Sequence, residues 1–145
     1  LDKQKKTRTF QIGEIYLMNF DGSFCEQNGM RPGLVFQNNV GNTYSPNIIA
    51  LPLTTCMKKL NQPTHVLVRA EDTGLLRDSV VLCENPECIA KERVGRYLTK
   101  LSFEDMGRVA EASLIATSVI AFLDTASLLR IRDTAAELNS ITPPA

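Results

Sequence analysis

Apolar positions fall in two regimes along this chain. Between residues 11 and 100 they come in short runs separated by turn residues, and from Ser102 onward they recur at helical spacing. Ile12–Phe20 alternates, with Ile15 and Leu17 on one face and Tyr16, Met18 and Phe20 on the other, which predicts a strand buried on both sides. The polar stretch DGSFCEQNG that follows predicts a loop. Further strands are predicted at Pro32–Asn38, Ile48–Leu53, Thr64–Val68, Ser79–Cys83 and Val94–Thr99, with NVGNTYSPN read as a loop. Short strands in this rhythm, with no helical pattern between them, predict a small barrel or sandwich of mainly antiparallel strands. A parallel βαβ arrangement would need helices in those gaps.

At Ser102 the pattern changes. Ser102 offers a capping oxygen, and Glu104 and Asp105 place carboxylates near the positive end of a predicted helix. Met106, Val109, Ala110, Ser113, Leu114, Thr117, Ile120 and Ala121 make one apolar stripe, and Ile115, Val119, Phe122 and Leu123 a second. A helix apolar on two sides has to bury both. One side is expected to cover the strands. The other is expected to meet a second copy in a homodimer, with deep burial inside one subunit as the alternative. Asp124 either caps a further helix through Leu138 or lies within a continuing one. The expected organisation is a flexible basic arm (1–10) and one domain (11–145), with a barrel over about 11–100 and a helical region over about 102–139.

Composition narrows the class. With 145 residues, 43% hydrophobic and 22% charged, the chain suits one globular domain rather than a disordered or disulfide-stapled protein. Sixteen basic and sixteen acidic residues cancel, which argues against a nucleic-acid binder held by bulk electrostatics but not against a local basic groove. No apolar segment follows the polar, basic start, and Leu114–Leu123 is too short to span a bilayer, so a cytoplasmic location with no membrane contact is expected. The four cysteines are irregularly spaced and read as reduced thiols. Cys83 and Cys88 with the lone His65 have the wrong spacing for a metal site, so packing is preferred and neither metal nor cofactor is expected.

The chemistry has few places to reside. There is no phosphate-binding loop, dinucleotide fingerprint or metalloprotease motif, and a single His rules out a histidine acid/base pair within one subunit. In Glu26-Gln27-Asn28-Gly29-Met30-Arg31-Pro32-Gly33 a carboxylate and a guanidinium flank a glycine turn. Arg31 there is suited to bidentate binding of phosphate, or equally to a loop-end salt bridge. In Leu51-Pro52-Leu53-Thr54-Thr55 hydroxyls end an apolar run, where they either act on a ligand or satisfy turn backbone.

Taken in order, these segments resemble the MazF/PemK family of toxin endoribonucleases from bacterial toxin–antitoxin pairs. Gly13–Leu17 (GEIYL), Glu26–Val35 (EQNGMRPGLV), Asn38, Asn47–Ile49, Pro52–Thr54, Pro63–Val66 and Gly74–Val81 carry the resemblance. It implies an SH3-like/CcdB-like small barrel of antiparallel strands with a C-terminal helix, working as a homodimer. It also implies metal-independent cleavage of single-stranded mRNA by 2′-OH attack, leaving a 2′,3′-cyclic phosphate and a 5′-OH. Arg31 and Thr54 match the family's catalytic Arg and Thr, while Glu26 and Glu84 are candidate bases. Gln27, Asn38, Thr55, Lys58, Lys59, His65, Arg69 and Arg77 are candidate RNA contacts. The implied partner is a cognate antitoxin whose disordered segment blocks the RNA path. Two departures stand out: Glu87 replaces an expected Arg, and the chain continues past the usual helix end through Arg130 and Arg132. The alternatives are a CcdB-like toxin that binds DNA gyrase without catalysis, and a catalytically silent binding relative.

Overall fold

The structure, a computed structural model, describes residues 8–20, 29–58 and 60–140. Most of the expected basic arm therefore lies outside the described residues. The elements are β1 (Glu14–Asn19), β2 (Met30–Val35), α1 (Asn39–Tyr44), β3 (Asn47–Thr54), β4 (His65–Val68), α2 (Ala70–Thr73), β5 (Ser79–Leu82), β6 (Glu87–Ala90), β7 (Val94–Lys100), α3 (Phe103–Thr117) and α4 (Thr125–Asn139). The strand path is β4-β5-β3-β2-β1-β7, every pairing is antiparallel, and β6 also pairs with β3. β4 and β7 end this path without pairing to each other, so the sheet is open where a closed barrel was expected. The reason lies in α3. Its Val109 and Ala112 pack among Val66 and Val68 of β4, Ile15 of β1 and Leu101 just past β7, filling the side where closure would occur.

β3 organises the sheet. One side carries β2, while the other carries β6 along Asn47–Ala50 and then β5 at Leu53 and Thr54. Pro52, which has no N–H to donate, falls in the gap between those two partners, so a proline is tolerated in a central strand. Burial on both faces follows the alternation in sequence. Ile15, Leu34, Leu51, Leu53 and Val81 lie on the α3 side, and Tyr16, Met18, Phe20, Val35, Ile48 and Ala50 on the other.

Two short elements escape the hydrophobic pattern. NVGNTYSPN, expected as a loop, contains α1, because the Asn38 side chain accepts from the Gly41 N–H (2.9 Å) as an N-cap. Buried Asn42 donates to the Gln37 carbonyl (2.8 Å), which holds this polar turn inside the fold. β6 was also unforeseen; of its four residues only Ile89 is buried, so it carries almost no periodic signal.

In the helical region Ser102 accepts from the Asp105 N–H (3.1 Å) as expected. α3 stops at Ser118, which adopts a left-handed conformation (φ 56°) and donates its N–H back to Leu114. Asp124 then caps α4 by accepting from the Ser127 N–H (2.7 Å), which decides for a further helix over a continuing one. The second apolar stripe is largely open: Ile115, Val119 and Phe122 are exposed, Phe122 by 89%, and Leu123 is half-buried. α4 meets α1 through its last residue, where Asn139 Oδ1 accepts from the Asn39 N–H (3.0 Å).

Candidate active site

The β2–β3 register pairs Gly33 with Pro52 and Leu34 with Leu51. Continued by two residues, it sets Arg31 opposite Thr54. Both residues fall on the Met18–Ala50 face by alternation, and Arg31 pairs with Met18 across β1. The two most telling residues of separate sequence segments thus lie at the same end of neighbouring strands, two residues past the last observed β2–β3 pair.

Each is held by its surroundings. The Arg31 guanidinium carbon lies 5.7 Å from the centre of the Phe20 ring, a cation–π contact that orients the fork. Phe20 is itself fixed over Gly33, where a Cβ would come within 2.7 Å of its ring tip and 2.6 Å of Met18 Sδ. The glycine of the R-P-G sequence is therefore needed for close packing, not for a turn. Thr54 Oγ1 accepts from the Cys56 N–H (3.1 Å), so the turn after β3 uses the hydroxyl as an acceptor and leaves its proton to donate outward. A guanidinium and a hydroxyl donor at the same end of neighbouring strands are groups suited to binding a phosphate.

Other expected site residues lie elsewhere. Glu84 stands two residues beyond β5, whereas Thr54 pairs with Val80 near its start, a separation of about 13 Å along the strand direction. Glu84 Oε1 lies 2.6 Å from Nε2 of His65, whose side chain is only 6% exposed. Burial raises the Glu84 pKa, but the His65 hydrogen bond, a backbone hydrogen bond, the His65 charge and a Thr64 hydrogen bond outweigh it, so the net shift is downward. The structure brings Glu84 and His65 to each other and not to Arg31. Asn38 caps α1 beyond the far end of β2 and lines a hollow with Arg130, Ile131 and Leu138 of α4.

Arg69 begins α2 and faces Glu104, Asp105 and Arg108 at the start of α3; its 4.0 Å approach to Glu71 is too exposed to count for much. Lys58 is exposed in the turn past Thr54. Thr55 and Arg77 line a cleft with Leu17 and Pro32, on the sheet face opposite to Arg31 and Thr54. Glu87 sits on β6 opposite Ala50, four residues along β3 from Thr54. Glu26, Gln27 and Lys59 lie outside the described residues.

Cys83 is buried, and desolvation, with the Glu84 charge adding to it, pushes its thiol up to about 11, so it is an unreactive packing group. Among the described residues no group of three His, Cys, Asp or Glu is placed to hold a metal ion. Sequence reading missed Phe20. Phe20 was legible, since it continues the Tyr16–Met18 face of the first strand and so falls beside Arg31.

Residues 11–116 match the family described as PemK-like, MazF-like toxin of type II toxin-antitoxin system. Endoribonuclease EndoA of Bacillus subtilis (strain 168) is 40% identical over 113 residues, covering 76% of this chain and 96% of that protein. The fold is similar to that of MazF (Form-I) from Deinococcus radiodurans, with a TM-score of 0.65 at 22% identity over 77% of this chain and 99% of that one. It is also similar to an endoribonuclease in complex with its cognate antitoxin from mycobacterial species, with a TM-score of 0.63 at 24% identity over 77% and 97% of the two chains. The chain belongs to the PemK-like, MazF-like family of toxins of type II toxin–antitoxin systems.

Proposed function

We propose that Arg31 and Thr54 form the phosphate-activating pair with which this toxin, an endoribonuclease, cuts single-stranded RNA. The observation that supports this most is their place at the same end of the neighbouring strands β2 and β3, with Thr54 held as a donor and Arg31 beside the Phe20 ring. In the proposed reaction the ribose 2′-OH attacks the adjacent phosphorus and the bond to the 5′-oxygen breaks. The products are a 2′,3′-cyclic phosphate and a 5′-OH. Negative charge grows on the non-bridging oxygens, where the Arg31 fork and the Thr54 hydroxyl hydrogen-bond to it. Arg31 works by charge stabilisation, because a guanidinium with a pKa above about 12 is a poor proton donor at neutral pH. Glu26 is the base we assign, since Glu84 is engaged by His65.

We also assign the open apolar stripe of α3 and the following turn to a homodimer interface. The cognate antitoxin is expected to silence the site by laying a disordered segment across the RNA path. A cytoplasmic location follows from the substrate, and no described helix is long and apolar enough to cross a membrane. Incubating the purified chain with a long single-stranded RNA in EDTA tests this reading. The wild type is expected to cut at few positions and Arg31→Ala to lose activity. Failure of the wild type to cut, or equal cutting by both, overturns it and favours a binding toxin.

A further inference from the structure

The sheet face that α3 covers extends beyond the helix. From Ile15 and Leu34 in the core, the same face runs on to Leu17 of β1 and its cross-strand partner Pro32 of β2. No residue of α3 lines this part, and a cleft of about 550 Å³ opens there, within the range of small-ligand sites. Its floor is apolar: Leu75 and Leu98 stand beside Leu17 and Pro32, and all four are half-buried. Arg77, from the segment before β5, and Arg96, from β7, also line it, and both are exposed. Among the described residues they are the charged groups of the lining, and neither has an ion-pair partner. The hydroxyl of buried Ser79 donates to the Arg77 carbonyl (3.1 Å), so the polar recognition rests on the two guanidinium groups. A cleft with charge of one sign over apolar walls concentrates counter-ions. Its floor gains by being taken out of water. Together these features select a ligand that is anionic at one end and apolar at the other.

We propose that this cleft is a binding site for a small amphiphilic anion, with an acyl or aromatic body on the Leu17–Pro32 floor and a carboxylate or phosphate held by Arg77 and Arg96. The planar fork of either guanidinium pairs with such a head group by two parallel hydrogen bonds. The concave shape and the volume suit a small molecule that is mostly enclosed. This site is separate from the one that handles RNA. Arg31 and Thr54 belong to the other face of the sheet, with Met18 and Ala50, so the two sites fill independently. A ligand here touches β1, β2, β7 and the segment between α2 and β5 at once, and so ties together four parts of the fold. Because only the folded chain offers this arrangement, binding stabilises it by mass action.

The test titrates the full-length chain calorimetrically with four probes: decanoate, naphthalene sulfonate, decyltrimethylammonium and inorganic phosphate. The two amphiphilic anions are expected to bind, and the tighter of them tells an acyl body from an aromatic one. The cationic amphiphile and the phosphate, each lacking one half of the chemistry, are expected not to bind. At about a hundred times Kd, the bound anion should raise Tm by about 5–10 °C. R77A/R96A is expected to weaken anion binding at least tenfold and to lose the Tm shift. R77E/R96E should reverse the preference, taking decyltrimethylammonium and refusing decanoate. Both positions are exposed, so these variants are expected to fold. Phe122→Ser, which alters the exposed end of the α3 stripe, should bind the anions as the wild type does. A fully 2′-O-methylated RNA strand should not displace them. Failure of both anions to bind the wild type, or equal Kd in wild type and R77A/R96A, overturns the proposal. Loss of binding in Phe122→Ser, or displacement by the RNA strand, overturns it by moving the site elsewhere. Binding of a poly-Glu peptide but of neither amphiphile overturns it in favour of an acidic protein partner.

Discussion

Gly33→Ala perturbs both the packing and the chemistry of the site, and the size of the effect can be worked out. The added Cβ would lie 2.6 Å from Met18 Sδ and 2.7 Å from Phe20 Cζ, closer than such atoms approach in folded proteins. These are side-chain tips, which on a surface could swing aside, but Met18 is fully buried and Phe20 is 9% exposed. Forcing a methyl into such packing costs about 1–3 kcal/mol. Gly33 has no positive φ, so alanine also restricts the unfolded chain, which offsets about 0.4–1 kcal/mol of that cost. The net loss is about 0–2.6 kcal/mol, or a fall in Tm of up to about 10 °C for a chain of this size.

Displacing Phe20 also shifts the ring that orients Arg31, and misplacing a reacting group by about 1 Å costs on the order of a hundredfold in rate. Gly107→Ala is the internal control. It lies within α3, where an added Cβ meets nothing within 4 Å, so it should stabilise by about 0.5–1 kcal/mol and leave activity unaltered. Urea and thermal unfolding of both variants, with RNA cleavage assayed alongside, read the difference. A Gly33→Ala protein as stable and as active as wild type would refute the packing of Met18 and Phe20 over this glycine and its link to Arg31.

Two further outcomes follow from the same geometry. Thr54→Val keeps the shape of the side chain but removes the hydroxyl proton, so kcat should fall about 10²–10³-fold, while Thr54→Ser retains most of it; equal activity of the two variants in a cleavage assay would remove Thr54 from the chemistry. Glu84 has a lowered pKa in the folded chain, so its paired form stabilises the protein fully above the unfolded value near about 4.3, and that stability is lost as pH falls through the lower folded value. Urea unfolding from pH 7 down to pH 3 should therefore show a loss in wild type that Glu84→Gln lacks; matching pH profiles would contradict the pairing with His65.

Sequence reading succeeded where a residue's role is set by its immediate neighbours. Alternation alone located β1, both of its faces and the strand now called β3, because a sheet buried on both sides allows few polar intrusions. Ser102 was legible as a cap, and capping by Asp124 was one of two readings, because capping depends on residues two or three positions away. Sequence reading fell short where long-range geometry decides. Asn38 reads as a ligand-binding polar residue at a strand end, and only the placement of Gly41 makes it a helix cap. Glu84 and His65 are 19 residues apart and meet because β4 and β5 pair. Neither a hydrophobic pattern nor a local motif encodes that pairing. The end of α3 rests on Ser118 in a left-handed conformation, which a serine seldom adopts and no local signal marks. Sheet closure likewise depends on where α3 comes to rest rather than on the strands themselves.

The central claim is that this toxin breaks RNA with the substrate's own 2′-OH while Arg31 and Thr54 stabilise the phosphate. The most direct test maps one cut on a transcript and then compares the matching synthetic strand with the same strand carrying a single 2′-deoxyribose 5′ to the cut. In EDTA, the wild type is expected to cleave the first strand to a 2′,3′-cyclic phosphate and a 5′-OH and to leave the second intact while still binding it. Cleavage of the deoxy-substituted strand at that bond, or products ending in a 3′-OH and a 5′-phosphate, would contradict the account.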